Sequence, residues 1–438
     1  MKKKMLAAAL GVALGVMSPA ADYVMDMQNV AEAHLLSSAQ EKSIGQKAAN
    51  EYESSTGTSY NSTLDLVQER LIKFNKKELW MMGTNPNSKR GLERIKLAHT
   101  QDMNALSIAG GWTYVNDGMM DFLSQVATDG SGGPRNEWDS KNIYNTAALA
   151  HVVGHEFAHW AHEDALRQYD KQRWTQIIGS MIPVGGLYAQ LAVLGGTQLV
   201  NALNSRQMGF RTEQQADEGG IAYVENVPEY SVGGAAIWFY RDVQDDERRG
   251  ITRNENWLHP HSKSAKRLER SLSYMKDASN GFIEWKGLDL YIDGQKEPID
   301  CFAGRADVES IDRAFYVTGQ FASCAKFRIL SVSNIQFFTE EELFGNGSPD
   351  YTCMVMMGNA VDGTKKTNKL IDTFRVSKKE IEKWIPLLAK NGPSALNNAG
   401  LPISVRNEIS TAYNEYYYVH QYDANKFKYM RKRTTDDE

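Results

Sequence analysis

The sequence has few cysteines, and none has the spacing of a thiolate metal site. Three occur in 438 residues, Cys301, Cys324 and Cys353, all in the C-terminal third. No C-x-x-C pair is present, which argues against a structural zinc held by cysteines. In an oxidising compartment two of the three could pair and leave one over, and the spacing favours no particular pair.

The chain also lacks a basic tract. Lysine and arginine number 49 against 54 acidic residues, a formal net charge of −5, so we expect no binding to nucleic acid. Hydrophobic residues make up 42% and charged residues 24%, which is the composition of a globular protein and excludes a largely disordered chain. The length suits two domains.

The N-terminus has the three parts of a secretory signal peptide. Residues 2–4 are lysines, residues 5–17 are apolar, and small residues follow at Ala20 and Ala21. The apolar stretch is short compared with the roughly 20 residues of a transmembrane helix, which favours a cleaved signal peptide at residues 1–20 over an uncleaved anchor. We therefore predict an exported protein, with the periplasm as its compartment.

One internal segment lacks charge altogether. Residues 174–205 contain no charged side chain, and glycines and Pro183 interrupt the segment. A packed hairpin of two short helices, broken at residues 183–186, is the preferred interpretation. A hairpin that dips into a membrane or covers a substrate is the alternative, so peripheral membrane contact through this segment stays open.

The most informative pattern is H-E-x-x-H at His155, Glu156 and His159. On an α-helix, residues four apart lie on one face, so the two imidazoles can converge on one ion. Glu156 is displaced around the helix, where it is better placed to hold a water molecule than to be a ligand. We predict a helix from about Tyr144 to Tyr169. The alternative is an ordinary pair of helix histidines, and a third ligand would decide between them.

A second helix, predicted at residues 209–226, supplies that ligand. It carries Glu213 and Asp217 four residues apart on one face. Two imidazoles and the Glu213 carboxylate, with the fourth position open, form the ligand set of a catalytic zinc rather than a structural one. Asp217 could accept the free ring N–H of a ligand histidine, or it could be a solvated helix carboxylate.

Other polar residues are weaker candidates. His151 lies one turn before His155 and could be a fourth ligand, although a packed or supporting histidine is preferred. A developing oxyanion requires a donor beyond the ligands, and the candidates are His259, His261 and Arg267. A histidine of this segment could instead cap the metal and hold the protein latent.

The predicted fold class is α+β. We expect a mainly helical metalloprotease domain of the zincin type with a small edge-strand sheet at residues 35–277, followed by a mixed α/β domain of unknown role at 280–438. The elements predicted most directly are helices at 36–54 and 63–80, a strand at 107–115, strand-like runs near 282–292, and helices at 378–390 and 403–418.

Four ordered blocks resemble the gluzincin zinc metallopeptidases that include the HtpX heat-shock protease, the CAAX prenyl protease and BepA. The blocks are LSSAQEKSIGQ for the N-terminal helix, NALSIAGGWTYVNDGMM for the edge strand, HVVGHEFAHWAHED for the active-site helix and TEQQADEGGIAYV for the helix of the third ligand. The resemblance implies that His155, His159 and Glu213 bind one zinc ion and that Glu156 is the general base. It also implies that the strand at 107–115 takes the substrate backbone.

The sequence departs from the family pattern at three points. Ala109 replaces a proline of the edge strand, and Arg211 stands two residues before the ligand Glu instead of three to four. His259 preserves the family's His-Pro dipeptide whereas His261 preserves its spacing to Arg267, so both histidines remain candidates.

The resemblance and the signal peptide together predict an exported zinc endopeptidase. Its partners would be misfolded or unassembled envelope proteins, handled in protein quality control. The alternative is a zinc-containing chaperone or assembly factor whose active site is latent or blocked. The C-terminal region does not resemble the tetratricopeptide repeats of periplasmic family members, so it suggests no client.

Overall fold

The computed structural model describes residues 38–124, 143–164, 210–248, 264–299, 308–345, 348–359 and 366–423. They form an α+β fold in which small sheets lie among helices, and the part that precedes residue 280 is mainly helical, as predicted. The predicted signal peptide at 1–20, the uncharged segment 174–205, and His259, His261 and Cys301 lie outside the described residues.

The elements are numbered in chain order. Those before residue 280 are α1 (Ser38–Thr56), β1 (Thr58–Ser59), α2 (Ser62–Phe74), β2 (Lys96–Ala98), β3 (Ala105–Ile108), β4 (Trp112–Asn116), α3 (Asp117–Ser124), α4 (Ile143–Ala161), α5 (Phe210–Glu225), α6 (Gly233–Arg248) and α7 (Ser264–Ala278). Those after it are β5 (Ile283–Lys286), β6 (Asp289–Ile292), α8 (Ser310–Lys326), β7 (Ile335–Thr339), α9 (Glu340–Phe344), β8 (Thr352–Asn359), β9 (Lys366–Phe374), α10 (Lys378–Asn391) and α11 (Ile403–Asp423).

Helix α4 lies in the core and carries the H-E-x-x-H pattern. Apart from the polar residues of the site, its residues are mainly small or apolar, and every residue from Ile143 to Trp160 except Thr146 is buried, as expected for a helix that is surrounded by other elements. It packs against α5, α6, α2 and β3. A Cβ atom on Gly220 of α5 would come within 2.8 Å of the backbone nitrogen of His155, so the absence of a side chain there lets α5 approach the pattern closely.

The first sheet has the strand order β1-β2-β4-β3, with β3 at an edge. The prediction of a single strand at 107–115 is wrong, because β3 and β4 form an antiparallel hairpin that turns at residues 109–111. Gly110 and Gly111 have φ angles of 84° and 99°, in the region that favours glycine. The apolar run continues through the turn, which made the hairpin look like one strand.

Two predicted helices end earlier than expected. Helix α2 stops at Phe74 rather than at residue 80, because the Asn75 side chain donates to the carbonyls of Leu71 (2.8 Å) and of Tyr223 on α5 (2.9 Å). Helix α4 stops at Ala161 rather than at Tyr169. Both ends depend on contacts or backbone turns that helical periodicity does not reveal.

The C-terminal elements contain a three-stranded antiparallel sheet, β7-β8-β9. The predicted helices at 378–390 and 403–418 are confirmed as α10 and α11, and the run at 282–292 forms the hairpin β5–β6. Helix α8 packs against α6 and α7, and residues from both parts of the chain share one hydrophobic cluster. The division into domains near residue 278 stays a prediction.

Two of the three cysteines are described. Cys324 and Cys353 are buried and free, so no disulfide joins them. Burial raises the pKa of each thiol to about 12, which keeps both protonated at neutral pH.

Among the described residues, no helix is both long and apolar enough to cross a membrane.

A buried ionic cluster joins the C-terminal elements to α4. The Arg313 guanidinium contacts the carboxylates of Asp372 and Glu415, and all three side chains are fully buried. The hydroxyl of Tyr144, on α4, donates to Asp372. The C-terminal sheet is therefore linked directly to the helix of the H-E-x-x-H pattern.

Replacing Arg313 by methionine should lower the free energy of unfolding by about 3–5 kcal/mol, because two buried carboxylates lose their cation. Urea unfolding measures the change. Arg94→Met is the matched control, since the Arg94 side chain is 51% exposed and pairs with Asp65 at the surface, where the expected loss is about 0–1 kcal/mol. Equal losses in the two variants would contradict the assignment of Arg313.

Lys369 of β9 supports the end of α5. Its ammonium group is buried and donates to the backbone carbonyls of Glu225 and Val227. Burial lowers the pKa of Lys369 to about 8 from an ordinary value of 10.5. Between these two pH values the unfolded chain keeps a proton that the folded chain has released, so this residue makes stability rise with pH.

The stability difference between the wild type and Lys369→Met should therefore grow with pH. Above pH 8 the expected increase is about 1.4 kcal/mol per pH unit, levelling off near pH 10.5. Urea unfolding at pH 7, 8, 9 and 10 measures it, with Lys379→Met, at an exposed position on α10, as the control. A difference that stays constant from pH 8 to 10 would show that Lys369 titrates normally.

Candidate metal site

Helix α4 brings the imidazoles of His155 and His159 together. Their Nε2 atoms are 3.1 Å apart, and the ring planes are nearly perpendicular, at 88°. His155 is 0% exposed and His159 is 4% exposed. The two imidazoles thus converge as the spacing of four residues predicts, because both rings project from one face of a helix.

Helix α5 adds the carboxylate of Glu213. Its two oxygens lie 3.5 Å from the Nε2 atoms of His155 and His159, one oxygen to each ring. A tetrahedral ion with metal–ligand distances of about 2.0–2.1 Å separates its ligands by about 3.3–3.4 Å. The donor set and its spacing therefore fit a zinc ion, and among the described residues this is the group of side chains that could hold a metal.

The other ring nitrogen of His155 contacts Asp217. The Nδ1–Oδ1 distance is 2.9 Å, and Arg267 donates to both oxygens of Asp217 at 2.9 and 2.6 Å. Asp217 thus lies where the sequence places a carboxylate that holds a ligand histidine. A proton on Nδ1 leaves the lone pair of Nε2 directed at the metal position.

The contacts between His155, Asp217 and Arg267 also shift the pKa values of the first two side chains. Burial opposes a charge on His155, yet its hydrogen bonds with Asp217 and Glu213 outweigh burial and raise the pKa of His155 to about 9. Burial also opposes the charge on Asp217, but Arg267 and His155 hold the pKa of that carboxyl below its ordinary value. Asp217 is therefore an anion at neutral pH.

Arg267 is not placed as an oxyanion donor. Its guanidinium lies on the Nδ1 side of His155, whereas the candidate metal position is on the Nε2 side, and it stacks over Trp238 and Phe239 at 4.7 and 4.3 Å. The expectation that this residue reaches the reacting carbonyl is therefore corrected. Its bidentate contact orients Asp217 instead.

His151 packs in the core behind the site. It is 0% exposed and contacts the rings of Trp238 (5.8 Å) and Phe239 (5.6 Å). Burial lowers its pKa to about 3, so the imidazole is neutral. It does not belong to the group of converging ligand atoms, which agrees with a packed histidine rather than a fourth ligand.

Two further features bear on the site. Glu156 is 3% exposed and follows His155 on α4. The sequence analysis did not identify Asp164 as a residue of the site. In the structure its Oδ2 lies 2.9 Å from Nδ1 of His159. A carboxylate five residues after a histidine is off the shared helix face, so only the chain turn after Ala161 brings the two together.

Two histidines one turn apart and a glutamate from a neighbouring helix define the class of metal-dependent hydrolases with a His₂Glu ligand set. Residues 77–275 match the model of Peptidase family M48, so this part of the chain is similar to the metallopeptidases of that family. Peptidases of family M48 depend on zinc, which agrees with the donor set. No protein with a curated description matches the chain.

Proposed function

We propose that the protein is an exported zinc endopeptidase that hydrolyses unfolded or misassembled envelope proteins. One zinc ion per chain would be held by His155, His159 and Glu213. The observation that carries the proposal is the spacing of these three donors, 3.1 to 3.5 Å, which is that of ligands around one tetrahedral ion.

The mechanism assigns the proton transfers to Glu156. Zinc, when bound, supplies a Lewis acid that polarises the scissile carbonyl and lowers the pKa of a water molecule toward about 7. The Glu156 carboxylate accepts the proton of the attacking water and then delivers it to the nitrogen of the leaving amine. Asp217 and Arg267 keep His155 in the tautomer whose Nε2 faces the metal position.

The edge of β3 is the proposed binding surface for the substrate backbone. The amide of Asn116 donates to the carbonyl of Asn104, which makes this a bonded pair of the hairpin. Because bonded pairs alternate along antiparallel strands, the peptide groups of Ala105 and Ser107 face away from β4. An extended substrate could add there as a further strand, beside His159.

A substrate that binds as a strand must offer an extended segment with free peptide groups. Folded proteins present such segments rarely, because their edges are protected, whereas unfolded chains present them throughout. This requirement supports misfolded and unassembled proteins as the substrate class. Protein quality control in the cell envelope then follows from the predicted export.

Depth of burial favours a second candidate function. All four of His155, Glu156, His159 and Glu213 are at most 4% exposed, so a substrate needs the site to open. A zinc-containing chaperone or assembly factor with a latent site would have the same appearance. Both functions predict one bound zinc ion, but only the endopeptidase would hydrolyse peptide bonds.

The substrate proposal is tested with one polypeptide in its folded and unfolded forms. The purified protein should cleave the unfolded form and leave the folded form intact, and a chelator should stop cleavage until zinc is added back. Cleavage that persists in chelator, or that is equal for the two forms, would contradict the proposal.

Export and membrane association are tested by cell fractionation. We expect the mature protein to begin near residue 21 and to appear in the envelope fraction. Carbonate extraction then distinguishes peripheral contact through residues 174–205 from insertion, because only an inserted segment requires detergent. A full-length chain in the cytoplasm would contradict the proposed location.

A further inference from the structure

The chain turns sharply just after the second histidine of the pattern. Helix α4 ends at Ala161, and Glu163 then has a φ of 60°. This left-handed backbone is unfavourable for a residue with a side chain, and such conformations persist where surrounding contacts impose them. The turn brings the next residue, Asp164, into contact with His159.

Arg90 supplies the contacts that impose the turn. Its guanidinium pairs with the carboxylate of Glu163 and donates to the carbonyl of Trp160 at 3.1 Å. Its Nε lies 3.0 Å from a carboxylate oxygen of Glu41 on α1, and Glu41 accepts the amide of Gly110 in the β3–β4 turn at 3.1 Å. Arg90 therefore fixes the residues on both sides of the turn to the wall of the site.

The two histidines have parallel supports. The Nδ1 of His155 contacts Asp217 at 2.9 Å, and the Nδ1 of His159 contacts Asp164 at 2.9 Å. Both carboxylates are buried, at 4% and 6% exposed. Asp217 is held by Arg267 directly, whereas Asp164 is held through the turn that Arg90 braces.

We propose that Asp164 is a positioning residue for His159, and that Arg90 maintains the turn that delivers it. The inference rests on the proposed zinc site. Asp164 accepts the Nδ1 proton of His159, which fixes the ring orientation and directs the Nε2 lone pair at the metal position. Asp164 touches neither substrate nor metal in this arrangement, so it acts only through His159.

Zinc affinity tests the proposal without relying on turnover. Zinc binding is measured by competition with a chromophoric chelator in Asp164→Ala, Asp164→Asn, Arg90→Gln and the wild type. Asp164→Ala should weaken binding by about 10- to 100-fold. Asp164→Asn keeps an acceptor for the Nδ1 proton but loses the charge that strengthens this hydrogen bond, so it should weaken binding by between about twofold and tenfold. Arg90→Gln should fall between the wild type and Asp164→Ala.

A matched control and a spectroscopic measurement separate positioning from general stability. Arg94→Gln removes an exposed arginine that pairs with Asp65 and should bind zinc as the wild type does. In the cobalt-substituted protein, Asp164→Ala should shift the visible absorption bands, because the orientation of one ligand changes. Melting of each metal-free variant reports folding independently.

The proposal is overturned if Asp164→Ala binds zinc within twofold of the wild type and leaves the cobalt spectrum unchanged. If Asp164→Ala does not fold, Asp164→Asn decides alone, since an affinity equal to that of the wild type contradicts the proposal and a weaker one supports it. A wild type that binds zinc but cleaves nothing defeats the proposed function and leaves Asp164 as a positioning residue. If the wild type cleaves substrate and Asp164→Ala has reduced cleavage with unchanged zinc affinity, the proposed function is supported and the role of Asp164 in positioning His159 is not.

Discussion

Replacing Glu156 by glutamine should lower kcat for peptide hydrolysis by about 10²- to 10⁴-fold, the usual contribution of a general base. The amide keeps the size of the carboxylate but cannot accept a proton from the attacking water. Zinc content should stay at one ion per chain, because His155, His159 and Glu213 are unchanged. Cleavage of an unfolded protein, followed by mass spectrometry of the products, measures the loss.

Glu218→Gln is the control for this substitution. Glu218 is exposed on α5 and accepts a hydrogen bond from Gln214, so the same chemical change there should leave kcat unaltered. An active Glu156→Gln variant that retains more than about a tenth of the wild-type rate would contradict the general-base role. If the wild type and Glu156→Gln both bind one zinc ion but neither cleaves any substrate, the assembly-factor function is supported instead.

Removing a ligand should have a second large effect, on metal affinity. Structural zinc sites with four ligands bind with roughly 10–16 kcal/mol, so the loss of one ligand should weaken binding by on the order of 1000-fold. We expect this for Glu213→Ala and for His159→Ala, with hydrolysis lost in parallel. Chelator competition measures the affinity, and added zinc at high concentration should restore part of the activity.

Glu218→Ala provides the matched control for Glu213→Ala, because it removes a carboxylate from the exposed side of the same helix. Its zinc affinity should equal that of the wild type. The metal-free forms of all variants should melt close together, since the ligands contribute mainly through the metal. A Glu213→Ala variant with wild-type affinity would mean that α5 does not supply the third ligand.

The candidate ligands were predictable from sequence because each depends on local spacing. His155 and His159 share a face of one helix, and Glu213 and Asp217 share a face of another, so helical geometry alone places them in pairs. The two pairs come close to each other as soon as α4 and α5 pack against one another. The close approach at Gly220 achieves this.

The supports of the site were not predictable, because they depend on turns and on distant elements. Asp164 reaches His159 only through the left-handed conformation of Glu163, and Arg90 comes from a segment far away in the chain. Arg267 was a candidate oxyanion donor, but it lies on the Nδ1 side of His155, since sequence does not give the direction from which α7 approaches.

The same distinction explains the errors in the fold. The strand predicted at 107–115 is a hairpin because apolar residues continue through the Gly110–Gly111 turn, where the alternation of strand residues is uninformative. Helix α8 was not predicted, and it is buried at nearly every position from residue 312 to 325. Such a helix is buried on all sides, so its hydrophobic residues follow no clear helical period.

Anomalous diffraction at the zinc absorption edge, on crystals of the zinc-loaded protein, tests the central claim most directly. We predict one anomalous peak per chain, about 2.0–2.2 Å from Nε2 of His155, Nε2 of His159 and a carboxylate oxygen of Glu213. Zinc-loaded crystals that show no peak between these three side chains, or an ion that binds elsewhere with Glu213 unligated, would contradict the proposed zinc site.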